Sequence, residues 1–332
     1  MCIRDRAERL GEASTDDLLR SVSAAGRAVA YAADMTWHRV ERLSRRRSRF
    51  RRLRARPDRE PLADGVVVQD DEVVLAVDAR PDRDPSLVLR AAAAAAQAGL
   101  RLAPHTVDRL AAESAPMPEP WPIAARDALV SLLGAGRTAV PVWEALDQAD
   151  LWTRLIPGWG VVRSAPQHNP VHIYTVDRHL VETAVRAAGL SRQVTRPDLL
   201  LVGALLHDIG KGRPGDHTEV GMALVADIAP RLGFDDSDSA VLLEMVQDHL
   251  LLPETATRRD LDDPATVAAV VEAVGDPEVL DLLHALTEAD ALATGPGVWS
   301  DWKASLVEDL VTRARAVMAG QPPSAASGLS PE

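Results

Sequence analysis

The sequence predicts an all-α protein: a helical domain carrying one small β-hairpin, followed by a second domain made of helices alone. Three observations lead there. Apolar residues form 46% of the 332-residue chain but aromatics only 3%, so the cores must be mostly Ala, Leu and Val, and Ala and Leu favour helices. Only one segment, Gly65 to Asp78, reads as paired strands. Proline and glycine cluster at a few points and divide the helices into groups, and the length suggests about two domains.

In order, Thr15-Asp16-Asp17 caps a helix running through Leu18, Val22, Ala25, Val29, Ala32 and Met35 into an arginine stretch. Val66-Val67-Val68, Gln69-Asp70-Asp71-Glu72 and Val73-Val74-Leu75-Ala76-Val77 read as a hairpin with a polar turn. Pro85-Ser86 opens a helix through Ala91–Ala96 that Gly99 ends. Short helices follow near Pro104–Ala112, Ile123–Leu133 and Val140–Ala149, with Pro116 to Pro122 a rigid surface connector around Trp121. Pro157-Gly158-Trp159-Gly160 marks a boundary. Beyond it, helices are expected at Val171–Ala188, Arg196–His207, His217–Leu232, Asp236–Leu251, Pro264–Val274, Pro277–Ala293 and Ser300–Met318. The expected domains are 1–60, 61–158 and 159–320, with 321–332 a flexible linker rich in Pro, Ser, Ala and Gly.

The formal charge, 37 − 49 = −12, argues against nucleic acid as a partner. Eleven arginines between Arg39 and Arg59 could bind phosphate, RNA or an acidic protein, but a solvated helix face is the commoner outcome, and they are read as a surface. The single cysteine, Cys2, excludes a disulfide framework and a cysteine zinc knuckle and fits a reducing cytoplasm. No stretch approaches ~18 continuous apolar residues, so no membrane span is expected. Met1 to Arg6 does not read as the start of a domain, so the chain is expected to begin inside a longer parent.

Chemistry concentrates where the apolar run Leu199–Leu206 ends in His207-Asp208-Ile209-Gly210-Lys211. Adjacent histidine and aspartate supply two metal ligands at once, the glycine lets the chain turn, and the lysine adds a cation. Only Lys211 and Lys303 among the 37 basic residues are lysine. His172, His217, His249 and Asp290 fall on or beside the same group of helices. Imidazole and carboxylate without thiolate suits Mn²⁺, Mg²⁺, Fe²⁺ or Zn²⁺ in a catalytic site with open positions. His172, His207, Asp208 and Asp290 would hold one ion; His217 and His249 would add a second, with Asp208 bridging. Two such ions ~3.5–4 Å apart clamp the attacking and leaving oxygens of a phosphate ester. His38, His105, His168, His179 and His284 are read as surface or packing residues, His179 with a conceivable supporting role.

The ordered set His … His-Asp … Asp resembles the HD superfamily of metal-dependent phosphohydrolases, and the later His217 and His249 resemble its two-metal members such as the HD-GYP phosphodiesterases. Further blocks are similar to the bifunctional PII uridylyltransferase/uridylyl-removing enzymes: Pro166 to His172, Thr175 to Leu180, Gly212 to His217, Asp248 to Leu251, Thr257 to Asp260, Ala289 to Thr294 and Trp299 to Leu306. Upstream, Pro118 to Pro122 and Val142 to Asp147 continue the likeness, which covers about Asp16 to Ala319.

The resemblance implies removal of UMP from a uridylylated tyrosine of the PII signalling protein in the cytoplasm, using Mn²⁺ or Mg²⁺. Lys211 and Asp208 would be catalytic. Arg258 and Arg259 would bind the phosphate or the PII surface, with an ion pair to Asp260–Asp263 an equal alternative. It also implies that 1–60 is a remnant of the transferase-associated helical region, 61–158 the middle helical domain and 159–320 the HD domain, the family being truncated here at both ends. The transferase half needs a Gly-Ser turn and an Asp-x-Asp pair on a strand. The chain has no Gly-Ser, and Asp82-x-Asp84 and Asp236-x-Asp238 read as loop or cap residues, so uridylyl transfer is not expected. Two alternatives stay open: a hydrolase of free nucleotides or cyclic dinucleotides, and a non-catalytic signalling module.

Overall fold

A computed structural model describes residues 3–49 and 59–321. Cys2, part of the arginine run (Arg51, Arg52, Arg54 and Arg56) and all but the first residue of the expected linker lie outside the described residues. The chain is mostly helical and forms two compact units. The first comprises Met1–His168, Tyr174–Arg178 and Arg231–Gly233; the second comprises Asn169–Ile173, His179–Pro230 and Phe234–Glu332. No helix among the described residues is long and apolar enough to cross a membrane.

The first unit opens with α1 (Ile3–Leu10) and the long α2 (Thr15–Arg49). The cap of α2 is Ser14 rather than Thr15: its hydroxyl accepts from the Asp17 backbone N–H at 3.1 Å and donates to the Asp17 carboxylate at 2.7 Å, a reciprocal cap that satisfies a helix-end donor. The hairpin is present as β2 (Val66–Gln69) and β3 (Glu72–Leu75), with Val68 opposite Val73. Asp70 and Asp71 both take positive φ (58° and 64°), as a two-residue turn matched to strand twist requires.

The sheet is wider than the expected hairpin. β1 (Glu60–Ala63) pairs antiparallel with β2, and β4 (Arg101–Leu102) pairs parallel with β3. β1 carries Pro61, which only an edge strand tolerates, and β4 is two residues long; neither shows a strand pattern. α3 (Leu87–Gln97) buries most of its alanines and packs on α5 (Ile123–Gly134) and α6 (Ala139–Gln148), with α4 (Pro104–Glu113) beside β3.

α7 (Leu151–Leu155) and α8 (Trp159–Val162) complete a tryptophan core. Trp143 stacks on Trp152 at 3.7 Å between ring centroids and meets Trp159 edge-on at 5.3 Å. The Trp152 indole donates to the Trp143 carbonyl at 3.0 Å, so the ring is buried with its N–H satisfied. The Pro157–Gly160 turn thus lies within this unit. The proline connector also differs from its surface reading, since Trp121 is only 5% exposed.

The second unit takes α9 (Val176–Leu190) from His179 onward, then α10 (Pro197–Leu206), α11 (His217–Arg231), α12 (Asp236–Gln247), α13 (Leu251–Arg258), α14 (Pro264–Val274), α15 (Pro277–Thr294) and α16 (Asp301–Met318). Every residue of α10 from Leu199 to Leu206 is buried, the mark of a helix packed on all sides. Gly203 lets α12 approach so closely that a Cβ there would stand 2.5 Å from the Met245 methyl. A second cluster gathers Leu252, Val267, Val270, Leu280, Leu283, Leu310 and Val311 between α13 and α16. Asp235, Asp263, Asp276 and Ser300 cap α12, α14, α15 and α16 through backbone N–H groups.

Two helix expectations needed correction. The helix expected from Val171 starts at Val176, because His172 N–H bonds the Asn169 carbonyl in a turn and the Thr175 hydroxyl donates to Asp177 at the helix start. The helix expected through Leu251 stops at Gln247, and His249 lies in the turn before α13.

Candidate metal centre

Five elements of the second unit deliver the site. α10 ends at Leu206, and His207 and Asp208 follow in the turn with both side chains buried. Gly210 is needed there for close approach, not for a left-handed turn: a Cβ would collide with the His217 carbonyl oxygen and come within 2.9 Å of the Gly221 Cα. The left-handed residue is Gly212, with φ of 78°. This contact seats His207-Asp208 against the start of α11. There the Asp216 carboxylate accepts from the N–H groups of Thr218 at 2.8 Å and Glu219 at 3.1 Å, fixing the end that carries His217. Those bonds hold the Asp216 carboxyl below the usual carboxylate range. The α12–α13 turn brings His249, α15 brings Asp290, and the first turn of α9 brings His179.

These side chains form two ligand sets, His179–His207–Asp290 and Asp208–His217–His249, each with ligand atoms within 4.8 Å of one another. In the first, His179 Nε2 lies 3.0 Å from Asp290 Oδ1 and 3.3 Å from His207 Nε2. In the second, Asp208 Oδ1 lies 3.8 Å from Nε2 of both His217 and His249. Asp208 joins the sets, because its Oδ2 lies 3.4 Å from His207 Nε2 and 3.7 Å from His179 Nε2.

Orientation comes from the backbone. The Nδ1–H groups of His207 and His249 donate to the carbonyls of Ala204 at 2.9 Å and Val246 at 2.7 Å. Each bond turns Nε2 into the cluster, the arrangement that prepares histidines for a metal. Burial opposes a charged His207, yet Asp208 and Asp290 outweigh it and raise this imidazole to about 10. Burial likewise opposes charge on the two aspartates, but His207 with Lys211 at Asp208, and His179 with His207 at Asp290, hold both carboxyls well below their usual range. Burial lowers His249. The cluster therefore attracts positive charge.

The donors fit a divalent ion on three observations. Two imidazole nitrogens face one another, Asp208 Oδ1 is buried with no hydrogen-bond partner, and the donor set is imidazole and carboxylate alone, which suits Mn²⁺, Mg²⁺, Fe²⁺ or Zn²⁺.

Of the residues singled out from sequence, His207, Asp208, His217, His249 and Asp290 are brought together. His172 is not in either set. It stands on the loop before α9, its ring centroid 5.6 Å from that of His179, and lines the adjoining cavity. His179 takes the place expected for His172, because the helix begins five residues later than the apolar pattern suggested. Thr175 ahead of Asp177 was the available signal, since a cap there puts His179 in the first turn. His284 pairs with Glu308 at 3.5 Å, away from the cluster.

A cavity of about 490 Å³ opens over the site, lined among others by Asn169, His172, Asp208, Lys211, His217 and Lys303. Lys211 Nζ is 2.5 Å from Asp208 Oδ2. Arg258 lies on the cavity edge, 71% exposed and paired with Glu254 at 3.1 Å, whereas Arg259 is absent from the lining. The acidic run after it is met by Arg313, 3.1 Å from Asp262. In the two Asp-x-Asp segments, Asp82 pairs with Arg80, Asp84 with Arg90, and Asp238 with Arg196.

A helical unit with histidine and aspartate donors delivered in this order defines an HD domain, and residues 176–295 match the HD domain family. That match includes His179 and starts after His172. Over 98% of its length the chain is 59% identical to the bifunctional uridylyltransferase/uridylyl-removing enzyme of Streptomyces coelicolor, and over 94% it is 53% identical to that of Mycobacterium tuberculosis. The enzyme of the same name from Corynebacterium glutamicum is 41% identical over 73% of the chain. By sequence the chain belongs to this family, of whose Streptomyces member it spans about 40%.

Proposed function

We propose that the second unit is a metal-dependent phosphodiesterase that removes UMP from uridylylated PII protein in the cytoplasm. The observation that carries this reading is the pair of ligand sets joined through Asp208. His179, His207 and Asp290 would hold one ion, and Asp208, His217 and His249 the other, with Mn²⁺ or Mg²⁺ the proposed metals. When bound, such ions lower the pKa of a coordinated water and draw charge from phosphoryl oxygens.

The chain's own residues supply the rest. Asp208 presents one oxygen to each set and fixes their spacing. Lys211 puts an ammonium on the cavity wall beside Asp208, where charge gathering on the non-bridging oxygens is stabilised. Water adds to phosphorus as the bond to the tyrosine oxygen breaks, giving UMP and a free tyrosine side chain. That phenol has a pKa of about 10 and leaves with little acid help.

Purified protein with Mn²⁺ or Mg²⁺ is assayed against uridylylated PII, cyclic dinucleotides and nucleoside triphosphates, with chelator and His207→Ala controls. The expected result is chelator-sensitive release of UMP, lost in the variant. Turnover of a free nucleotide with uridylylated PII untouched would replace this substrate by the nucleotide. Failure to bind any divalent metal would leave a non-catalytic module.

A further inference from the structure

We infer that Lys303 is the residue that binds the substrate's phosphate. Taking the anion to be a phosphoester rests on the hydrolase reading above. Both lysines of this 332-residue chain line the same cavity, although they are 92 positions apart and carried by different elements. Their situations differ. Lys211 is held beside the metal-ligand cluster by the Asp208 carboxylate at 2.5 Å, the position given above to charge developing in the reaction. Lys303 has no ion pair among the described residues, is half-buried, and faces the cavity.

A structural role does not account for it. Lys303 lies in the first turn of α16, where Ser300 caps its backbone N–H at 3.3 Å. Helix N-termini favour negative charge, so a lysine there works slightly against the helix dipole. Arginine, which supplies every other cation except Lys211, presents a broad planar fork, whereas an ammonium is a compact charge on a flexible stem that can follow one phosphate oxygen. A cation on the cavity wall with no carboxylate of its own is placed to hold an anion against the metal-ligand cluster.

The test is calorimetric titration of the Mn²⁺-loaded chain with UMP and, separately, with orthophosphate, for wild type, Lys303→Met and Lys303→Arg. Loss of one charge-assisted contact is expected to weaken both ligands about 10-fold in Lys303→Met. Lys303→Arg should restore most of the affinity. The Lys303→Met thermal midpoint should equal or exceed that of wild type, which separates a binding residue from a structural one. Unchanged UMP affinity in Lys303→Met would overturn the inference, as would a wild-type protein that binds neither ligand. A loss for UMP but not for orthophosphate would also overturn it, because the contact would then be to the nucleoside. Failure of the hydrolase reading shows separately, as a wild type that binds UMP yet turns over no phosphodiester.

Discussion

His179 Nε2 and His207 Nε2 face each other at 3.3 Å, with Asp290 Oδ1 3.0 Å from the first of them. Two imidazole nitrogens at that separation need a proton or a metal cation between them, and the nearby carboxylates favour positive charge there. His172, the histidine that sequence spacing put forward, stands one ring further out. Replacing His179 by Ala is therefore expected to weaken Mn²⁺ binding at least about 10-fold, the lower end of losses seen even for residues supporting a ligand. His172→Ala removes a ring outside both ligand sets and should cost clearly less. Metal titration of the two variants side by side decides between them, and equal losses would return His172 to the ligand set.

Gly210 is predicted to be intolerant of any side chain. An alanine Cβ would meet backbone, the His217 carbonyl and the Gly221 Cα, and backbone cannot swing aside as a side chain can. Gly210→Ala is expected to cost about 1–3 kcal/mol, the usual range for overpacking, and to displace His217. Urea unfolding and metal stoichiometry together check this, since the second ligand set should fail first. Gly203→Ala, which meets the flexible end of Met245, should be milder.

In the first unit, Arg27 is the common partner of Glu144 at 2.8 Å, Asp147 at 3.0 Å and Asp177 at 2.5 Å. Asp147 and Asp177 are almost fully buried. Burial pushes the Asp147 carboxyl up despite Arg27 and Arg163, so removing a cation leaves a poorly solvated charge. Arg27→Ala should destabilise this unit by about 3–5 kcal/mol, as expected when one partner of a buried pair is removed. Chemical denaturation followed by tryptophan fluorescence checks this in a background where Trp299 and Trp302, the two tryptophans of the second unit, are replaced by Phe.

His284 gives a pH dependence away from the metal ligands. Burial pushes its imidazole below the ordinary value of 6.5, although Glu308 pulls the other way. The native protein then binds fewer protons than the unfolded chain just below that value. Its contribution to stability is full above about pH 6.5 and is lost as pH falls toward the folded value. Urea midpoints at pH 8, 6.5 and 5.5 should fall less steeply for His284→Gln than for wild type. Parallel curves for the two proteins would remove His284 as a source of the slope.

Much of the helical order is local, which is why it can be read from residues. Asp263-Pro264, Asp276-Pro277 and Ser300 announce helix starts through caps that act within three residues, and Asp70-Asp71 announces its turn through backbone conformations that short polar residues tolerate. The short strands β1 and β4 carry no such signal, because each exists only through the neighbour it pairs with. The Trp159 turn and the Trp121 connector look like surface punctuation until packing buries them.

For the site, the candidate donors His207 with Asp208, then His217, His249 and Asp290, were legible in the residues alone. Packing between helices put His179 rather than His172 in the first candidate set, turned one Asp208 oxygen to each set, and brought Lys303 to the same cavity as Lys211. The reason is physical. Residue type and helical period fix which face a side chain occupies within one element. Distances between elements depend on where each helix starts and how closely backbones approach, and here those follow from the start of α9 at Val176, beside the Thr175–Asp177 bond, and the contact of Gly210 with α11.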